Sequence, residues 1–152
     1  MIPPCLELDT HDNKWAFIAV AMVQTKSLRP KGFPKILGND FFLIGYRVFV
    51  RFNNQAGKSL RGLYILKSET DKKKMEFLGN IFTHYNYTTT DIKQNSQNGI
   101  TEIYSNKSGF KIRIENSDDE NISLPAGSPF TDWKEARRFA GPLPFTFTYN
   151  TS

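Results

Sequence analysis

The sequence predicts a mainly β domain with two α-helices. Short apolar runs recur along the chain, some alternating with polar residues and others apolar on both faces, and clusters of turn residues separate them. Two further segments show helical spacing with recognisable start or stop signals. The 152 residues suit one domain of ordinary size. We therefore expect a single domain over residues 1–152.

Three strands are predicted before the first helix. Residues 15–23 are apolar on both faces, which is typical of a buried central strand. A long strand over 41–52 follows, and the turn residues 53–57 connect it to a third strand over 60–67, so that the two form a hairpin. Alternation divides the long strand into two faces. One face carries Tyr46, Val48, Val50 and Phe52, and the other carries Leu43, Gly45, Arg47, Phe49 and Arg51.

The first helix is predicted directly after this hairpin. Ser68 or Thr70 can cap it, and Asp71 in the first turn favours the positive end of the helix. Apolar residues at helical spacing indicate that one face packs against the core. They are Met75, Leu78 and Phe82, with Phe77 and Ile81 widening the stripe.

Four strands and a second helix complete the predicted fold. The helix starts near Ser128 and Pro129, with proline at its first position, and stops at Gly141 and Pro142. Strands are predicted over residues 84–92, 99–105, 109–115 and 145–149.

Composition and charge argue against several classes of function. The net charge is +5, but acids and bases are interleaved, so we do not expect a nucleic-acid partner. Cys5 is the only cysteine and there are two histidines, which leads us to expect neither a metal site nor a cofactor. No run approaches about 18 apolar residues and no secretory signal is apparent. We expect a cytoplasmic protein without a membrane partner.

Four residues are candidates for binding a ligand: Arg47, Phe49, Tyr64 and His84. If the strand face that carries Arg47 and Phe49 lines a cavity, the guanidinium would hold a small carboxylate or phosphate. If that face points outward, Arg47 is an ordinary surface arginine. His84 could act as a general acid or base, or it could be a hydrogen-bonded structural histidine.

Five stretches, taken together, resemble a known family. They are Leu6 to Thr10, Leu28 to Pro34, Tyr46 to Val50, Gly62 to Leu66 and Ser128 to Trp133. Their order and spacing, over roughly residues 5–149, are similar to an uncharacterised conserved family of the acetoacetate decarboxylase-like superfamily. The resemblance implies a curved antiparallel β-barrel or cone that encloses a small-molecule cavity, with helices outside. It also implies that strands are missing at both ends of this chain.

The resemblance does not carry over decarboxylase activity. Acetoacetate decarboxylases form a Schiff base through a lysine in a Gly-Phe-Pro-Lys-Lys run. The corresponding place, residues 79–84, contains no lysine. A partial copy of the run ends at Lys35, in the loop after the first strand, and Lys67 closes the third strand. Lys35, Lys67 and His84 are therefore the catalytic candidates, each with the alternative of an ordinary surface or structural role.

The residues and the resemblance together predict a cytoplasmic domain that binds a small, anionic organic molecule in a cavity. One alternative is a lyase-type enzyme that acts on a small keto acid through a Schiff-base lysine. Another is a binder of nucleic acid or other polyanions that uses the basic surface. Exposed edge strands predict a homodimer.

Overall fold

The computed structural model describes residues 2–29, 32, 34, 38–83, 85–116 and 122–149. Within these residues the chain forms nine strands and two helices, which confirms a mainly β fold with two helices. None of the helices in this part of the chain is long and apolar enough to cross a membrane.

The elements follow one another along the chain with two helices set among nine strands. The helices are α1 (Lys73–Thr83) and α2 (Trp133–Ala140). The strands are β1 (Glu7–Leu8), β2 (Ile18–Leu28), β3 (Asn39–Asn53), β4 (Ser59–Thr70), β5 (Tyr87–Thr89), β6 (Lys93–Gln97), β7 (Ile100–Ser105), β8 (Phe110–Glu115) and β9 (Phe145–Phe147).

The strands form two open sheets. The larger sheet has the order β1-β3-β4-β5, with β2 also paired to β3 and β9 also paired to β4. The smaller sheet is the antiparallel meander β6-β7-β8. Strands β5 and β9 both run parallel to β4. The expected closed antiparallel barrel is therefore not formed by the described strands, because no strand pairs the two edges of the larger sheet with each other.

The chain divides into two compact units. Unit 1 consists of Met1–Ala19, Arg47–Leu66 and Ser117–Ser152, and unit 2 consists of Val20–Tyr46 and Lys67–Asn116. Strands β3 and β4 contribute residues to both units. The expectation of one domain over residues 1–152 stays a prediction.

Each unit has its own apolar cluster. In unit 1, Leu6, Val48 and Val50 are buried, and Phe52 and Tyr64 pack against them. In unit 2 the buried residues are Phe42, Ile44 and Ile103, with neighbours that include Tyr46 and Phe110. The even-numbered face of β3 supplies both clusters, in agreement with the face that alternation assigns to Tyr46, Val48, Val50 and Phe52.

Strand β2 differs from its prediction. It begins at Ile18 and continues to Leu28, and its apolar side chains are largely exposed, with 65% of Ile18 and 53% of Leu28 accessible. Among the described strands β2 pairs only with β3, so it lies at an edge of the sheet. The prediction of a buried central strand was wrong, because apolar residues on both faces do not determine whether a strand has two neighbours.

Helix α1 packs through only part of the predicted face, because Met75 and Leu78 are half-buried whereas the other three predicted residues are exposed. Its buried residue is Gly79, which lies against the ring of Tyr87. Glu76 and Asn80 hold the same face of the helix to β5: Thr89 N donates to Glu76, and Asn80 bonds both the N–H and the C=O of Tyr87. The predicted core residues Phe77, Ile81 and Phe82 are exposed by 67%, 53% and 76%.

The later elements agree in part with their predictions. Strands β7 and β8 fall within 99–105 and 109–115, whereas the strand predicted over 84–92 reduces to three residues, Tyr87–Thr89. Helix α2 begins later than expected, because Asp132 caps it by accepting from Glu135 N at 2.7 Å. Strands β1 and β6 were not predicted, since β1 has two residues and β6 is entirely polar.

Candidate functional site

Two arginines hold one buried carboxylate in unit 1. Asp9 follows β1 and is 1% exposed. Its Oδ1 accepts from Arg51 Nε of β3 at 2.7 Å, and its Oδ2 accepts from Arg61 Nε of β4. The pairing of β1 with β3 places Leu8 opposite Val50, and Asp9 N then donates to the Phe49 carbonyl. A buried carboxylate is stable only with such compensation, so the two guanidinium groups are held in fixed orientations.

Two aromatic rings pack against the guanidinium of Arg61. The Arg61 guanidinium lies 4.6 Å from the centre of the Phe139 ring and 6.0 Å from that of Phe49, and the two rings are 5.3 Å apart. Arg61 also donates from Nη2 to the Phe139 carbonyl at 2.7 Å. The cation–π contacts and the hydrogen bond thus hold α2 against Arg61.

The imidazole of His11 packs against aromatic rings next to Arg61. Its ring lies 4.8 Å from that of Phe130 and 5.7 Å from that of Phe139, and its side chain is 12% exposed. The Nε2 atom is 3.5 Å from Asp12 Oδ2 and 3.8 Å from Glu135 Oε1, and no described residue forms a hydrogen bond with it. The neighbouring rings set the orientation of this imidazole.

Glu135 is held from one side only. Its Oε2 accepts from Thr131 N at 2.7 Å and from Thr131 Oγ1 at 2.8 Å, at the start of α2. These hydrogen bonds, followed by the charges of His11 and Arg138, keep the pKa of Glu135 below its usual value. Glu135 is therefore an anion at neutral pH whose second oxygen, Oε1, faces His11.

These residues surround an open cleft of about 320 Å³ within unit 1, lined by Asp9, His11, Arg51, Arg61, Glu135 and Arg138 among others. Arg51 is about half exposed, and its terminal amino groups make no hydrogen bond to any residue that the structure describes. Arg138 is also exposed and has no hydrogen-bond partner in that part of the chain. The cleft thus offers guanidinium donors that a carboxylate or phosphate can occupy.

The predicted ligand-binding residues are distributed differently. Phe49 is 4% exposed and packs behind the cleft, against Phe139 and Arg61. Arg47 shares its strand face with Phe49 and Arg51; its Nε is buried and has no hydrogen-bond partner among the described residues. Tyr64 packs against the apolar cluster of unit 1. His84 and Lys35 lie outside the residues that the structure describes.

Lys67 belongs to a separate cluster in unit 2. Its Nζ lies 2.5 Å from Oε1 of Glu69, whose side chain is 1% exposed, and the hydroxyl of Tyr46 donates to the other oxygen of Glu69 at 3.1 Å. Burial, and then the charge and hydrogen bond of Glu69, raise the pKa of Tyr46 to about 12. The amine of Lys67 is thus engaged by Glu69 in unit 2 and does not line the cleft of unit 1.

Sequence reasoning missed most of this cleft. Asp9 was noted only within a family motif, and His11, Arg61 and Glu135 were given no role. One signal was available for Arg51 and Arg61. Asn54 N donates to the Lys58 carbonyl and closes the hairpin. Arg51 lies three residues before Asn54, and Arg61 lies three residues after Lys58. A hairpin of that register places the two arginines opposite each other, where only an acid can compensate them.

Comparison with known proteins gives one family. The family model DUF2071, described as an uncharacterized conserved protein, matches residues 1–140. No curated protein matches the sequence. The expected resemblance to an uncharacterised conserved family is confirmed in this respect. Because the match covers well over half of the 152 residues, the chain belongs to the DUF2071 family.

Proposed function

We propose that this chain binds a small organic anion, a carboxylate or a phosphate ester, in the cleft of unit 1. The observation that carries the proposal is the way in which Asp9 uses the Nε atoms of Arg51 and Arg61. Each guanidinium is oriented through one edge, and the terminal amino groups of Arg51 have no hydrogen-bond partner among the described residues. A planar fork of this kind matches the oxygens of a carboxylate or a phosphate.

The carboxylates of the cleft do not cancel this preference for an anion. Both oxygens of Asp9 accept from arginines, and Glu135 Oε2 accepts from Thr131. Arg138 has no hydrogen-bond partner among the described residues and lines the same cleft as Arg51. Both arginines therefore keep donors for an anionic ligand, and Glu135 Oε1 and Asp12 Oδ2 remain as acceptors on the side of His11.

The dimensions and the floor of the cleft suit an organic molecule. A volume of about 320 Å³ is at the lower end of the range for small-molecule sites. The ring of Phe139 supplies apolar surface in the cleft, next to the guanidinium of Arg61. An inorganic ion would leave this aromatic surface unused.

Calorimetric titration with small carboxylates and phosphate esters tests the proposal. Arg138→Met removes a donor that forms no hydrogen bond with any described residue, and Arg51→Lys keeps the charge but loses the planar guanidinium. Each variant should weaken binding about tenfold or more, because hydrogen bonds to charged groups are lost. Arg113→Met is the control, since Arg113 is exposed, pairs with Glu115 and lies in unit 2. Equal affinities for all three variants and the wild type would contradict the proposal.

We also propose that the chain forms a homodimer through the open edge of β2. In support, β2 pairs only with β3 among the described strands, and its residues Val20 and Val23 are more than 40% exposed. Lysine at the edge of a sheet blocks pairing between chains, so Val20→Lys with Val23→Lys should convert a dimer into a monomer in light scattering. Phe77→Ser, which removes an even more exposed apolar side chain outside the sheet, should leave the dimer intact. A monomeric wild-type protein at every concentration argues against this interface.

The acetoacetate decarboxylase-like superfamily and a cytoplasmic location are further parts of the proposal. The order of the family motifs and the mainly β chain with two helices support the first. A crystal structure whose strand order departs from that superfamily would overturn it. Fractionation of cells that produce the protein tests the second.

A further inference from the structure

We infer that the ligand of the unit 1 cleft is a hydroxy acid, and that His11 and Glu135 recognise its hydroxyl group. This inference rests on the proposed binding of an anion in the same cleft. It concerns the part of the cleft next to the arginines, where a donor and an acceptor face each other without a hydrogen bond between them.

His11 supplies the hydrogen-bond donor for this hydroxyl group. Its Nε2 atom is buried and lacks a hydrogen-bond partner in the described part of the chain, although the side chain lines the cleft. A buried polar atom without a partner costs free energy, so such atoms in a binding cleft indicate where a ligand atom belongs. The contacts of the ring with Phe130 and Phe139 hold it in place.

Glu135 supplies the hydrogen-bond acceptor. Its Oε2 is satisfied by Thr131, whereas its Oε1 lies 3.8 Å from His11 Nε2. This separation is too long for a hydrogen bond, but it allows one oxygen atom to lie within hydrogen-bond distance of both groups. Asp12 Oδ2, at 3.5 Å from Nε2, adds a second acceptor on the exposed side.

The chemistry of these two groups selects a hydroxyl. A carboxylate such as Glu135 only accepts hydrogen bonds, and the N–H of an imidazole donates. An oxygen placed between them must accept from His11 and donate to Glu135. A hydroxyl group does both, whereas a carbonyl oxygen only accepts and a second carboxylate would be repelled by Glu135. The acid group of the same ligand would bind the free donors of Arg51 and Arg138.

Pairs of acids that differ only in a hydroxyl group test this inference. Calorimetric titration compares lactate with propionate and 3-hydroxybutyrate with butyrate, so that two positions of the hydroxyl are sampled. In at least one pair the hydroxy acid should bind about tenfold more tightly, because the analogue leaves the buried polar atoms unpaired. His11→Phe keeps the aromatic packing and removes Nε2, so it should abolish this preference.

The results separate the two proposals. Acids that bind, but with equal affinity within both pairs, overturn the hydroxy-acid inference and leave the anion site standing. Failure of every acid to bind overturns the anion site and the inference with it. A preference for the hydroxy acid that persists in His11→Phe overturns the role of His11. Circular dichroism establishes that the variant is folded, and the comparison within the wild-type protein needs no variant.

Discussion

Gly79 of α1 lies so close to Tyr87 of β5 that a β-carbon at position 79 would be 2.4 Å from a carbon of the tyrosine ring. A contact this short cannot be accommodated unless the ring or the helix moves. The contact explains why α1 packs through its glycine face and leaves Phe77, Ile81 and Phe82 exposed. Close packing at one small residue, together with the half-buried Met75 and Leu78 of the apolar stripe, decides how this helix is oriented.

Gly79→Ala should therefore destabilise the protein. Overpacking costs about 1–3 kcal/mol, and the better helix propensity of alanine returns up to about 1 kcal/mol. The expected net loss in the free energy of unfolding is about 1–2 kcal/mol, measured by urea denaturation monitored by circular dichroism. A variant as stable as the wild type would show that helix and ring separate without cost.

The exposed face of α1 gives the opposite expectation. Phe77→Ser and Phe82→Ser remove side chains that are 67% and 76% exposed, so each should change the free energy of unfolding by less than about 0.5 kcal/mol. Leu78→Ser is the internal comparison, since Leu78 lies on the same helix and is only partly exposed. If Phe77→Ser destabilises as strongly as Leu78→Ser, another part of the protein covers this face in solution.

Removal of the shared carboxylate should be costly. Asp9→Asn leaves Arg51 and Arg61 without the anion that orients them, and we expect a loss of about 3 kcal/mol. The matched control is Glu115→Gln, which breaks the exposed pair with Arg113 and should cost less than about 1 kcal/mol. Urea denaturation measures both. Similar small losses for the two variants would contradict the structural role assigned to Asp9.

Tyr46 gives a prediction about alkaline pH. Its pKa is raised from 10.0 to about 12 in the folded protein, by burial first and then by Glu69. Between these values the unfolded chain releases the phenolic proton while the folded chain keeps it, so the unfolded state binds fewer protons. The contribution of Tyr46 to the free energy of unfolding should therefore be fully present below pH 10 and should fall as the pH rises towards 12.

Tyr46→Phe checks this prediction. The variant lacks the phenol, so its stability should decline less steeply over the same alkaline range. Ultraviolet titration of the folded wild-type protein should also show one tyrosine that ionises late, and this late step should be missing in the variant. Parallel declines in stability for the two proteins would mean that Tyr46 does not retain its proton.

The sequence alone determined the elements that depend on local pattern. Alternation and turn residues predict the hairpin of β3 and β4 and the pair β7 and β8, because a strand with one buried face repeats every two residues. Gly141 likewise marks the end of α2. Even the division of β3 into a core face and a face with Arg47, Phe49 and Arg51 needed only this period.

The tertiary structure decided what depends on distant segments. The face through which α1 packs follows from the approach of Tyr87 to Gly79, and the exposure of β2 follows from its single pairing partner. The cleft combines Asp9, Arg51, Arg61 and Glu135 from four segments. Charges so far apart in the chain become neighbours only when strands pair and a helix packs. The local period of a sequence does not show which remote residue compensates a buried charge.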